Sequence, residues 1–168
     1  MTAATATLEP DTSTAHATSA LAGKYLTFAL AGEEYGLPVL KVREIIKMLT
    51  ITAVPQAPPH VKGVINLRGK VIPVVDLRLK FGFVSQEYDE RTCIIVIEVA
   101  LQSSKVMMGA VVDAVSEVLT ITAAEIEETP EFGEHVNTEF MMGVAKIKGR
   151  VKFLLDLDRI FGGAATLL

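Results

Sequence analysis

The sequence predicts an all-β protein built as two small barrels, side by side and related by an approximate two-fold axis. Three observations predict it. Gly63-Val-Ile-Asn-Leu-Arg-Gly-Lys-Val-Ile-Pro-Val-Val-Asp-Leu-Arg-Leu-Lys-Phe-Gly82 aligns without gaps on Gly143-Val-Ala-Lys-Ile-Lys-Gly-Arg-Val-Lys-Phe-Leu-Leu-Asp-Leu-Asp-Arg-Ile-Phe-Gly162, with eight of twenty positions identical. A second echo relates Gly36 to Ile45 with Gly109 to Val118. Half of the 168 residues are apolar, mostly Val, Ile, Leu and Ala in short runs with no Trp, which suits pleated strands. About five short antiparallel strands per half would curl into a barrel, because closure removes exposed edges.

The elements follow in order. Residues 1–22 are rich in Ala, Ser and Thr and contain no Lys or Arg. Such a stretch buries too little to offset its ordering entropy, so a flexible tail is expected, with order from about Lys24. Leu26, Phe28 and Leu30 alternate with Tyr25, Thr27 and Ala29 as in a strand. Ala31 to Glu34 reads as a turn into a return strand at Tyr35, which Pro38 ends. Val39 to Val42 reads as a helical turn. Pro59 to Lys62, closed by Gly63, also reads as one helical turn.

Val64 to Leu67 and Val71 to Val75 are strands joined at Arg68-Gly69, where Gly69 supplies a positive φ. Pro73 lacks an N–H and predicts an edge position or a bulge. Asp76 to Phe81 reads as a short helix capped by Asp76 and stopped by Gly82. Cys93 to Val99 and Val106 to Val112 are strands. A long connection from Ala123 to Met142 precedes a second hairpin, 144–147 with 151–155, and a helix from Asp156 to Phe161. The expected division is a tail over 1–22, two intertwined modules within 23–162, and a short tail over 163–168. One module is built around 35–90 and the other around 93–155.

Several function classes find no support. The net charge is −4 and basic residues do not cluster, so there is no electrostatic footprint for nucleic acid. The longest apolar run, Cys93 to Ile97, is far shorter than the roughly 20 residues that span a bilayer. No secretory signal is visible. A single cysteine makes no internal disulfide, and a cytoplasmic setting is expected. His16, His60 and His135 stand at no metal-ligand spacing, and Cys93 opens an apolar strand as an inert thiol would. Gly63 to Lys70 is one residue too long for a phosphate loop and runs into a strand. Asp76 and Asp156 hold equivalent places in the repeats, which matching helix caps explain without acid–base chemistry. A solvated loop accounts for the six glutamates between Glu125 and Glu139. No catalytic residue, metal or cofactor is therefore expected.

Glu34-Tyr35-Gly36, Leu40 to Ile45, Lys62 to Gly69, Ile72 to Leu77 and Val111 to Val118 stand together in this order. From about Lys24 to Gly162 the chain resembles the CheW family of chemotaxis adaptors. The resemblance implies two SH3-like five-stranded barrels and no enzymatic activity. It implies two partners, the cytoplasmic tip of a chemoreceptor and the regulatory domain of the histidine kinase CheA, within a membrane-associated array. In isolation a monomer is expected, with no direct membrane insertion. By motif match, a receptor groove between the barrels would be lined by Val42, beside Leu40 and Glu44, and by Val115 and Val118. Arg68 resembles the family's receptor-sensitive arginine, with Glu44 as its acidic partner, and Gly63 matches a glycine at the mouth of the same hairpin. No residue is carried over to the kinase contact.

Apolar valines would seat the greasy face of a helix with little rotamer entropy to lose. A planar guanidinium at the rim would fix its register. The second hairpin reads Lys146-Ile147-Lys148-Gly149 where the first has Asn66-Leu67-Arg68-Gly69, an asymmetry that favours one receptor site. Rival expectations are the CheW-like domain of a CheA or CheV-type protein, although the chain ends at Leu168 without room for a receiver domain. A small-ligand-binding β-barrel is the remaining rival.

Overall fold

The structure, a computed structural model, describes residues 20–101, 104–127 and 140–165. Eleven strands and two helices follow in chain order among them: β1 Gly23–Leu30, β2 Glu33–Pro38, β3 Val42–Lys47, β4 Val61–Leu67, β5 Lys70–Asp76, α1 Leu77–Lys80, β6 Cys93–Leu101, β7 Ser104–Val112, β8 Ala114–Ile121, β9 Ile126–Glu127, β10 Met141–Ile147, β11 Arg150–Leu155 and α2 Leu157–Ala165. Single 3₁₀ turns lie at Val39–Lys41 and Ala123–Glu125. The first sheet has the order β8-β1-β2-β11-β10-β9 and the second β3-β6-β7-β5-β4.

The two orders are the same order. Under the repeat, β1, β2, β3, β4 and β5 correspond to β6, β7, β8, β10 and β11. Each sheet therefore takes its first hairpin from one half of the chain and the rest from the other. The joints are parallel pairings, β2 with β11 in the first sheet and β5 with β7 in the second. The chain changes sheets at 38–42 and again at 112–114. The expected division at 35–90 and 93–155 is corrected accordingly: β2 belongs with the later strands, and β6 and β7 with the earlier ones. Both sheets curl back on themselves. In the second, Thr52 bridges Val64 of β4 just beyond β3. In the first, β8 leads through the turn at Ala123–Glu125 into β9 at the opposite edge.

Three apolar clusters follow from strand alternation. Ile94 and Val96 point into the second barrel with Ile65, Ile72, Val74 and Val111. Ile95, Ile97 and Val99 point the other way, into a central cluster shared with Leu26, Phe28, Leu30 and Leu37 of the first sheet. Tyr25, Ile121, Ile126, Ala145 and Leu154 fill the first barrel. Strands buried on both faces explain why their sequences read as continuous apolar runs. Lys152 is buried opposite Glu34 across the β2–β11 joint and pairs with it.

Several local expectations are corrected. Leu21 already packs against the first-barrel cluster, and its carbonyl accepts the Tyr25 hydroxyl at 2.6 Å, so the docked chain starts before Lys24. Residues 1–19 lie outside the described residues, as do His16, His135 and most of the glutamate run. Residues 59–62 make no helical turn. Val61 N–H bonds to Pro58 O at 3.0 Å, and β4 starts there because Val61 already pairs with Val75. Pro73 is on an internal strand, but it lies one residue before the β5–β7 ladder begins at Val74, so its missing N–H leaves no gap there. The last helix runs on to Ala165, past the Phe161 limit read from sequence.

Candidate functional site

Val42 opens β3 and Val115 stands second in β8, the outermost strands of the two sheets. They are equivalent in the repeat. Both are half-buried, and both pack on the rim of the central cluster. Val42 faces Ile97 across β6, and Val115 faces Phe28 across β1. Val118, opposite Leu26, is 53% exposed, and Leu40 in the 3₁₀ turn is 84% exposed. Two further apolar side chains thus stand in solvent beside the two that close the core.

Arg68 forms the corner of the β4–β5 hairpin. Its φ is 51° and that of Gly69 is 87°, the pair of positive angles required by a two-residue type I′ turn. The sequence reading assigned a positive φ to Gly69 alone; the turn needs both. Asn66 Oδ1 accepts the Gly69 N–H at 2.9 Å and holds the corner. The guanidinium donates Nη1–H to Glu44 Oε1 at 3.0 Å and Nη2–H to Oε2 at 2.5 Å, a two-pronged pair. The hydrogen bond from Arg68 holds the Glu44 carboxyl below the ordinary glutamate range. Glu44 lies on β3 and Arg68 at the end of β4, the opposite edges of one sheet. The pair therefore clasps the seam of the second barrel beside Val42.

The equivalent residues in the first barrel are Lys148, at φ 52°, and Glu117. Among the described residues these two form no ion pair; Lys146 instead meets Glu127 at 3.2 Å. Among the described residues the clasp is thus particular to one half.

Gly63 has a structural account of its own. It lies in a bulge of β4 with φ 142°, directly beneath Thr52 and Ala53. A β-carbon there would come within 2.0 Å of the Thr52 carbonyl oxygen. Gly63 lets Thr52 and Ala53 approach β4 closely enough to close the barrel seam.

Polar side chains elsewhere serve as caps and ties. Asp76 is buried; its Oδ1 accepts the Arg78 N–H at 2.9 Å and its Oδ2 accepts the Tyr88 hydroxyl at 2.8 Å. Burial, followed by that bond to Asp76, pushes the Tyr88 phenol far above its usual range. Asp156 accepts Arg159 N–H at a long 3.4 Å. Burial raises the Cys93 thiol, as befits an inert group against the central cluster. Among the described residues no three His, Cys, Asp or Glu gather where they would hold a metal ion, and no helix is long and apolar enough to cross a membrane. Sequence reasoning missed one contact two residues from Val115, the tie between Arg78 and Asp113; the two are 35 residues apart, with no shared motif.

The chain and its fold have counterparts among known proteins. The family model of the CheW-like domain matches residues 24–165. A chemotaxis protein CheW of Klebsiella aerogenes is 39% identical over 145 residues, covering 86% of this chain and 85% of that one. A chemotaxis protein CheW of Rhizobium meliloti is 38% identical over 136 residues, covering 81% and 85%. Among solved structures, the scaffolding protein TtCheW of Thermoanaerobacter tengcongensis superposes with a TM-score of 0.74 at 36% identity, covering 83% of this chain and 92% of that one. With the duplicated hairpin, the double barrel and these matches along nearly the whole described chain, the protein belongs to the CheW family of chemotaxis scaffold proteins.

Proposed function

We propose that this chain is a non-enzymatic cytoplasmic adaptor that seats the helical tip of a chemoreceptor between its two barrels and couples it to the histidine kinase CheA. The observation that carries this reading is the pair of equivalent valines, Val42 and Val115, on the outermost strands of the two sheets and on the rim of one shared core. Exposed Leu40 and Val118 extend that apolar surface. An amphipathic helix buries its apolar face against such a surface, and the rigid β-branched side chains lose little entropy on contact. The Arg68–Glu44 clasp at the edge offers a charged group that fixes the helix's register. Gly63 contributes by letting the seam of the barrel that carries Arg68 close. No residue is assigned to the kinase contact.

The test is binding to a soluble receptor hairpin fragment, with a CheA fragment present or absent. Val118→Glu puts a charge where apolar surface must be covered and should abolish receptor binding, because the carboxylate loses its water without gaining a partner. Val115→Glu should do the same with an added loss of stability, since Val115 also packs on the core. Arg68→Ala should weaken binding while leaving the melting temperature nearly unchanged, because an exposed, solvent-screened pair contributes little to stability. Wild-type affinity in Val118→Glu would place the receptor site on another face.

A further inference from the structure

We infer that Arg78 and Asp113 form a brace that positions the Val115 wall of the groove, and that the equivalent junction of the repeat is tied without such a brace and leaves Leu40 displayed. The inference rests on the receptor reading given above.

Asp113 sits at the 112–114 crossing, between the end of β7 in the second sheet and the start of β8 in the first. Three groups converge on it. Arg78 of α1 donates Nε–H to Asp113 Oδ1 at 2.7 Å and Nη2–H to Oδ2 at 2.5 Å. The Ala31 N–H, in the β1–β2 turn, donates to Oδ2 at 2.9 Å. The Asp113 N–H in turn donates to Ala29 O at 3.1 Å. Arg78 is itself fixed, since its own N–H is held by Asp76. The pair is shielded, with side chains 13% and 29% exposed, so it is held more firmly than the exposed Arg68–Glu44 clasp. One planar fork thus ties the second barrel's helix to the first barrel's hairpin turn, through the residue two places before Val115.

The repeat shows what happens where the fork is missing. Arg78 corresponds to Asp158, each two residues beyond its cap aspartate, and Asp113 corresponds to Leu40, each four residues beyond Gly109 or Gly36. Ala31 lies four residues past Thr27, which faces Gly36; Ala100 lies four past Val96, which faces Gly109. Asp158 Oδ1 accepts the Ala100 N–H directly at 3.0 Å. At that junction one carboxylate does the work of two residues, and the 38–42 crossing is not recruited. Its Leu40 points into solvent instead. The same place in the duplicated unit is an anchor on one wall and an exposed apolar group on the other.

The test uses the full chain. Arg78→Gln and Asp113→Asn should each weaken binding of a soluble receptor hairpin on the order of tenfold, as loss of a shielded charge-assisted pair allows. The loss should be non-additive with Val115→Ala, and the Val115 methyl signals of the free protein should shift. Asp113→Asn keeps an acceptor for Ala31 and serves if Arg78→Gln does not fold. Unchanged affinity, or an additive loss with unmoved Val115 methyl signals, would overturn the brace. If the wild-type chain binds no receptor hairpin, the adaptor reading fails by itself, and the methyl signals alone decide the brace.

Discussion

Arg68 keeps its backbone at φ 51°, a region in which a β-carbon is crowded. The hairpin tolerates this because a type I′ corner matches the right-handed twist of its strands. Asn66 then stabilises the turn, and Glu44 aligns the guanidinium. Because the bond to Arg68 lowers the Glu44 pKa, the clasp contributes fully above the ordinary glutamate pKa and is lost as pH falls through the lowered value. The carboxyl carbon of Glu44, followed by NMR during acid titration, should report a pKa below the ordinary glutamate value in the wild type. In Arg68→Ala it should return to that value. At this scale the turn was legible, because Arg-Gly between two apolar runs has few other uses. That Arg68 meets Glu44 was legible only through the family resemblance, since nothing local relates residues 24 apart.

Elements were legible where a chemical stop marks them. Asp76 begins α1 by accepting the Arg78 N–H, and Gly82 ends it at φ 83°. Proline misled in two places. Before Val61 it looked like a helix start, but cross-strand pairing with Val75 won. At Pro73 it suggested an edge or a bulge; the strand is internal, the bulge lies in β4 opposite Val74 and Val75, and the ladder to β7 starts one residue later. The bulge in β4 makes a sharper prediction. Gly63→Ala must move the backbone of Thr52, not a flexible side chain, and should destabilise the protein by about 2–4 kcal/mol, as severe steric strain at a special backbone position does. Chemical denaturation should show this loss. A variant as stable as wild type would mean that the 52–64 seam opens at little cost.

For the whole molecule, the duplication and the intertwining of its modules were legible, and which strands they exchange was not. Alternation says which residues face a core but names no neighbouring strand, and the parallel joints β2–β11 and β5–β7 link residues far apart in sequence. Each barrel nevertheless takes strands from both halves of the chain. Fragments 1–92 and 93–168 should therefore be unfolded alone, and should regain β-sheet circular dichroism only when mixed or co-expressed. Intact protein should melt in one cooperative transition. A stably folded single fragment would contradict the exchange. A scaffold is pulled on by whatever it holds. Here the two lobes are woven, not hinged, so tension applied at one outer end meets covalent chain passing into the other lobe at two places. The molecule cannot stretch like beads on a string; it must transmit the displacement or lose both lobes together.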